Sequence, residues 1–147
     1  MSNMGTHRFA PAELNYDEIS VGMMASFRHT VTINDIALFA ELSGDHNPLH
    51  MDDTYAGQSR FGRRVVHGMF LGALFSRLVG MHLPGRRCLY LSQSLDFLGP
   101  VHIGDEVVVS GEVQRKHDAS RTLVLRTELT VLDQAAVRGK ALVQVLE

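Results

Sequence analysis

A chain of 147 residues, 45% hydrophobic and 20% charged, has the size and composition of one globular domain with a real core, which excludes global disorder. Its formal net charge of −2 excludes the clustered positive footprint that duplex nucleic acid demands. A single cysteine, Cys88, cannot close an intramolecular disulfide, so a reducing cytoplasm is the expected compartment. Residues 1–15 are polar and mixed, carry no apolar stretch of the signal-peptide kind, and read as a flexible tail ahead of a domain spanning 16–147.

A strand is predicted over 24–31. Thr32-Ile33-Asn34-Asp35 then has the form of a helix start, with Thr32 as N-cap. Ile36, Phe39, Ala40 and Leu42 give the following helix an apolar face, and Gly44 is placed to end it. A short helical turn is expected over 52–58, followed by a basic loop with Arg60, Arg63 and Arg64. Val65-Val66-His67-Gly68 opens the most apolar helix, expected to run from Gly68 to about His82. Its apolar residues occupy nearly every face, so the helix should be covered on every side. Its apolar run, 69–81, is broken by Ser76 and Arg77 and falls short of the roughly 20 residues that cross a bilayer, so a soluble protein without a membrane span is expected.

Pro84-Gly85 stops this helix, and the rest of the chain changes character. Residues 88–98, 105–116, 121–132 and 136–146 read as strands. Val107, Val109, Gly111 and Val113 share one parity, and Leu123, Leu125, Thr127, Leu129 and Val131 share another. Short polar connections such as His117-Asp118-Ala119-Ser120 suit antiparallel neighbours. Helices first and a meander of long strands afterwards give an α+β domain, with an antiparallel sheet curled around one apolar helix. A lone sheet layer leaves an edge strand uncovered, which edge-to-edge pairing in a homodimer would remedy.

The most informative stretch is Gly44-Asp45-His46-Asn47-Pro48-Leu49-His50. Asp45 and His50 cannot share a helix face, but a turn at Asn47-Pro48 can fold them together. A carboxylate beside an imidazole can share one water, take a proton from it and return one to a neighbouring carbon. A capped helix end followed by a solvated loop has the same composition, and local chemistry leaves both readings open. Gly68, at a helix N-terminus, offers an unpaired N–H and a positive dipole end to the oxygen of a polarised carbonyl; a plain entry to a core helix is the alternative.

Metal binding competes, because Asp45, His46, His50 and His67 could converge, yet neither H-E-x-x-H nor C-x-x-C spacing is present. Cys88 begins a strand and reads as a small core residue rather than a thiolate. There is no G-x-S-x-G elbow and no phosphate-cradling glycine loop. Arg60, Arg63, Arg64, Arg86 and Arg87 are the cationic clusters nearest these features in sequence and could meet the phosphates of a nucleotide-bearing substrate; solvated surface arginines are the alternative, and none is singled out.

Phe39-Ala40-Glu41-Leu42-Ser43-Gly44-Asp45-His46-Asn47-Pro48-Leu49-His50 resembles the hydratase motif of MaoC-like dehydratases, which include the R-specific enoyl-CoA hydratases. Tyr55-Ala56, Phe61-Gly62 and Val66-His67-Gly68-Met69 are similar to the approach to that family's central helix. Phe97-Leu98-Gly99-Pro100-Val101 and Gly104-Asp105-Glu106-Val107 resemble its later strand-loop-strand signature, so the likeness runs over about 30–113.

The resemblance implies a hot-dog fold, usually homodimeric. It also implies syn addition of water to a trans-2-enoyl thioester to give the R-3-hydroxyacyl product. By the same likeness Asp45 and His50 form the dyad, Asn47 orients the dyad or the water, and the Gly68 N–H binds the thioester carbonyl. His46 falls at a variable position. No metal, flavin or nicotinamide is implied; coenzyme A enters as part of the substrate. The alternatives are a dehydratase of acyl-carrier-protein or of branched or dicarboxylic acyl-CoA substrates, a hot-dog thioesterase, and a non-catalytic acyl-thioester-binding module. The fold supports several reactions. A thioesterase, however, does not need this Asp-Asn-His loop, and a module that only binds does not need an acid–base pair.

Overall fold

The structure, a computed structural model, describes residues 9–147. A 3-10 turn at Tyr16–Glu18 leads into β1 (Met24–Thr30), α1 (Ile33–Ser43), the short α2 (Pro48–Met51) and α3 (Asp53–Gly57), and the central α4 (Gly68–Arg77). After a wider π turn at Leu78–His82 come β2 (Cys88–Gln93), β3 (Asp96–Phe97), β4 (Glu106–His117), β5 (Thr122–Val131) and β6 (Gln134–Val145). The strands form one antiparallel sheet in the order β1-β4-β5-β6-β2, and β3 also pairs with β6. With α4 packed on this sheet, the architecture is the expected hot-dog, an α+β fold.

The alternation read from the sequence is the buried face of the sheet. Val107, Val109 and Val113 on β4, and Leu123, Leu125, Thr127 and Leu129 on β5, are all sealed from solvent. In register, Val109 faces Leu129, which faces Val137 on β6. Leu71, Leu74, Phe75 and Leu78 press onto these residues as one cluster. Full burial of a side chain such as Phe75 is worth about 1.5–3 kcal/mol. A second cluster gathers Tyr16, Ile19, Val79 and Leu83 over Leu123, Leu125 and Val143.

Three expectations are corrected. The loose tail does not extend to residue 15. Ala12 N–H donates to the Met81 carbonyl at 2.9 Å, Leu14 N–H to Pro84 at 3.3 Å, and Arg86 N–H to Ala12 at 2.8 Å. This segment is a strap across the end of α4, too short to show periodicity; residues 1–8 lie outside the described residues. The strand expected over 88–98 divides into β2 and β3, because Gly139 of β6 admits the Ser94 carbonyl so closely that a Cβ there would stand 1.8 Å from it. Finally, α4 is not covered on every side: in the single chain Met69 is 60% exposed.

Candidate active site

The site is built where α1 ends and α4 begins. Thr32 caps α1 by accepting from Asp35 N–H at 3.1 Å, while the Asp35 carboxylate accepts from Thr32 N–H at 2.9 Å and bonds His29 Nε2 at 2.8 Å. Burial opposes the charge on Asp35, but these bonds outweigh it and hold the carboxyl below its ordinary range. At the other end Gly44 takes the left-handed conformation, φ 79°, and its N–H closes on the Ala40 carbonyl at 2.8 Å.

From there the chain turns on local bonds. Asp45 N–H donates to Ser43 Oγ at 3.1 Å, and Asn47 N–H to Asp45 Oδ1 at 3.1 Å. Asn47 caps α2, its Oδ1 accepting from Leu49 N–H at 3.0 Å with Pro48 at the first helical position. The Asn47 side-chain oxygen therefore acts on the backbone that carries His50.

His50 has a defined tautomer. Its Nδ1 lies 2.6 Å from the Val65 carbonyl, which can only accept, so the proton sits on Nδ1 and Nε2 presents a lone pair. That Nε2 is 4.0 Å from Asp45 Oδ2, too long for a direct hydrogen bond and suited to a water held by both. The Asp45 side chain is 47% exposed and that of His50 17%, so the pair opens to solvent on the carboxylate side.

Gly68 is the first residue of α4. Its N–H has no acceptor among the described residues, as expected for the orphan donors of a helix start. The ring of Phe97 lies against it so closely that a Cβ at Gly68 would stand 2.9 Å from Phe97 Cε1. The site thus offers a carboxylate, an imidazole lone pair and a helix N-terminus.

Three further residues hold this region; the sequence offers His67 only as a candidate metal ligand and Arg64 only as a candidate phosphate contact, and His102 not at all. His67, 1% exposed, contacts the Asp45 main-chain carbonyl through Nε2 at 2.9 Å and lies 4.1 Å, ring to ring, from His50. Arg64 Nη1 reaches the His50 and Met51 carbonyls at 3.4 and 3.5 Å, and its Nε pairs with Asp53 Oδ1 at 3.0 Å. His102 Nδ1 bonds the Arg64 carbonyl at 2.8 Å. Arg64 is therefore occupied with the loop rather than poised for phosphate. The signal in the sequence was the immediate neighbourhood of His67 and Gly68.

Of the four residues weighed for metal binding, Asp45, His50 and His67 bring ligand atoms within 4.8 Å of one another, and His46 does not join them. Cys88 is a thiol at neutral pH, because burial pushes it up to about 11. A cavity of about 860 Å³ lined by Phe9, Arg77, Met81 and His82 lies at the far end of α4, remote from this chemistry. A smaller one of about 260 Å³, lined by Leu38, Phe39, Leu42, Phe70 and Ala73, adjoins it through Phe39, whose ring centre is 4.9 Å from that of His67.

Comparison with known proteins identifies the family. The (R)-specific enoyl-CoA hydratase of Aeromonas caviae is 39% identical over 132 residues, spanning 89% of this chain and 98% of that protein. The 3-hydroxybutyryl-CoA dehydratase of Methylorubrum extorquens is 36% identical over 132 residues, 90% of this chain and 84% of the relative. The solved structure of R-hydratase PhaJ1 from Pseudomonas aeruginosa, in its unliganded form, superposes with a TM-score of 0.86 at 36% identity, covering 90% of this chain and 85% of that one. The family profile described as "MaoC like domain" matches residues 19–135, and the chain belongs to the MaoC-like dehydratase family.

Proposed function

We propose that the chain is a hydro-lyase that adds water reversibly to trans-2-enoyl-CoA to give R-3-hydroxyacyl-CoA, with Asp45 and His50 sharing the water and the Gly68 N–H holding the thioester carbonyl. The observation that carries this reading is the 4.0 Å gap between Asp45 Oδ2 and a His50 Nε2 left free because Nδ1 is committed to Val65. One water fits that gap. The carboxylate accepts one of its O–H bonds, and His50 Nε2 takes the other proton as the oxygen bonds to the β-carbon. The double-bond electrons move onto the carbonyl oxygen as an enolate, and the proton then passes from His50 to the α-carbon on the same face. Hydrogen and hydroxyl are added, and the dyad returns to its starting state.

The magnitudes suit the chemistry. A main-chain donor at a developing oxyanion is worth about 3–4 kcal/mol in rate, and positioned acid–base groups about 10²–10⁴-fold. The apolar pocket beside Phe39 supports an acyl group next to the dyad. Coenzyme A is favoured over acyl-carrier protein because the two relatives described above, each matched over most of its length, carry CoA in their names. The reading calls on no metal or redox cofactor.

We also read the active form as a homodimer joined at the β2–β3 edge. That edge and its surroundings expose Leu89, Leu91, Phe97, Leu98 and Met69. A cytoplasmic setting accords with a lone, half-buried thiol; among the described residues no helix is long and apolar enough to cross a membrane.

The direct test is crotonyl-CoA with the purified protein, following the enoyl-thioester absorbance. Absorbance should fall without release of free thiol. Release of thiol would make the protein a thioesterase, and silence across short, medium and long enoyl-CoA would end the hydratase reading. Asp45→Asn and His50→Ala should each lower turnover by about 10²–10⁴-fold with the fold retained. Activity should survive EDTA. Loss on chelation with recovery on adding zinc would instead make Asp45, His50 and His67 metal ligands.

A further inference from the structure

His67 is an unusual choice for where it sits. It is the N-cap of α4, a position that favours Ser, Thr, Asp or Asn, yet its side chain makes no cap hydrogen bond. It is as buried as the aliphatic core, 1% exposed, although its ring carries two polar atoms. Nε2 is 2.9 Å from the Asp45 carbonyl oxygen, which only accepts, so the ring proton belongs on Nε2. Nδ1 then carries a lone pair, and it has no hydrogen-bond partner among the described residues. A buried imidazole in place of an aliphatic side chain calls for an explanation in what its other nitrogen holds.

The tethering pattern supplies one. The loop that carries Asp45 is otherwise held by short-range bonds, from Asp45 N–H to Ser43 Oγ and from His46 N–H to the Gly44 carbonyl. The contact from His67, 22 residues away, is the one long-range hydrogen bond to Asp45 among the described residues. His50, by contrast, is tied to the 64–65 segment by its own Nδ1, by Val65 N–H to the Leu49 carbonyl at 3.2 Å, and by Arg64. The two halves of the dyad thus hang on separate tethers, and the Asp45 tether is one side chain.

The ring has a second contact. It lies against His50 with centroids 4.1 Å apart and planes at 32°, and Phe39 packs on it at 4.9 Å. Burial, with His50 and His46 nearby, holds the imidazole below its ordinary value despite the Asp45 carbonyl and carboxylate. A neutral ring there places no positive charge against His50 at the moment His50 takes a proton.

We propose that His67 is a positioning residue of the hydration site: a neutral imidazole that holds the Asp45 carbonyl through Nε2–H and supports the His50 ring from behind. The hydration step is the one argued above, and this inference rests on it. Losing the Nε2–H frees the Asp45 loop and widens the gap that the water must span, while the substrate's other contacts remain. Misplacement of this kind is paid in turnover rather than in substrate affinity.

The test pairs His67→Leu, which fills the volume without a donor, with His67→Gln, whose amide nitrogen reaches about the place of Nε2. His67→Leu should lose about 10–100-fold in kcat on enoyl-CoA with KM within about threefold of the parent, and His67→Gln should recover most of the loss. Nitrogen-15 NMR of the imidazoles of the parent protein reads the state of the ring independently of turnover. His67 should show the neutral Nε2–H tautomer at pH 7. A His67→Leu enzyme with parental kcat overturns the proposal, as does an imidazolium or an Nδ1–H tautomer in the parent. If His67→Leu does not fold, His67→Gln and the spectrum still decide. A parent protein inactive on every enoyl thioester but showing that tautomer would remove the hydration reading while leaving the contact to Asp45 in place.

Discussion

His67 and His82 are imidazoles that the fold withdraws from water, and this sets how the protein responds to acid. Burial holds both below the ordinary value of 6.5, and the Arg77 guanidinium adds to the effect at His82. Unfolded, each would take a proton near pH 6.5; folded, each resists it. The unfolded state therefore binds more protons as the pH drops. The stability these groups contribute is complete above about pH 6.5 and is lost as the pH falls through their depressed folded values. The urea midpoint should fall between pH 7.5 and pH 5, and the fall should be smaller in His67→Gln and in His82→Gln. An unchanged slope in both would mean that neither ring is held neutral. At this scale residue type and spacing singled out Asp45, His50 and Gly68, while a capped turn and a plain helix entry stayed open on local chemistry and the family resemblance supplied the roles proposed for them. His67, Arg64 and His102 were not legible, since each acts through a main-chain carbonyl that only the folded chain brings near.

Elements were legible where their punctuation is local. Thr32, Gly44 and the Pro84-Gly85 pair mark helix ends through caps and forbidden conformations, and the structure places helix boundaries at the first two. The division of β2 from β3 was hidden, because it depends on Ser94 crossing Gly139, a contact between distant strands. The strap before Tyr16 was hidden for the same reason. Its hold depends on Gly85, which adopts φ 89° and lies so close to the strap that a Cβ would stand 2.0 Å from the Ala12 carbonyl oxygen. Gly85→Ala must therefore displace backbone rather than a side-chain tip. It should cost about 1–3 kcal/mol or more and lower the melting temperature by several degrees, as followed by circular dichroism. A melting curve identical to the parent's would show that the strap contributes nothing.

For the whole molecule, the sheet ends at β1 on one side and at β2 on the other. The β2 side carries Leu89 at 46% and Leu91 at 49% exposure, beside Phe97, Leu98 and Met69. An unpaired edge with this much apolar surface invites a second copy. With a chain mass of 16.3 kDa, the dimer proposed above should weigh about twice that by light scattering. The double variant Leu89→Lys, Leu91→Lys should shift the mass toward one chain, since lysines on an edge oppose pairing. A parent protein that runs as a monomer at every concentration would remove the dimer.

The two tethers of the dyad have one more consequence. His67 closes on Asp45, and residues 64–65 close on 49–51, so the chain between them leaves the site and returns to it at clamped points. The stretch of 54–63 is thereby an excursion whose ends are fixed independently of its length. Loop entropy rises only slowly with added residues, so insertions there are cheap. An insertion at its exposed turn, 57–58, should therefore leave the distance between carboxylate and imidazole unchanged, while the fully buried Ala56 keeps the excursion packed.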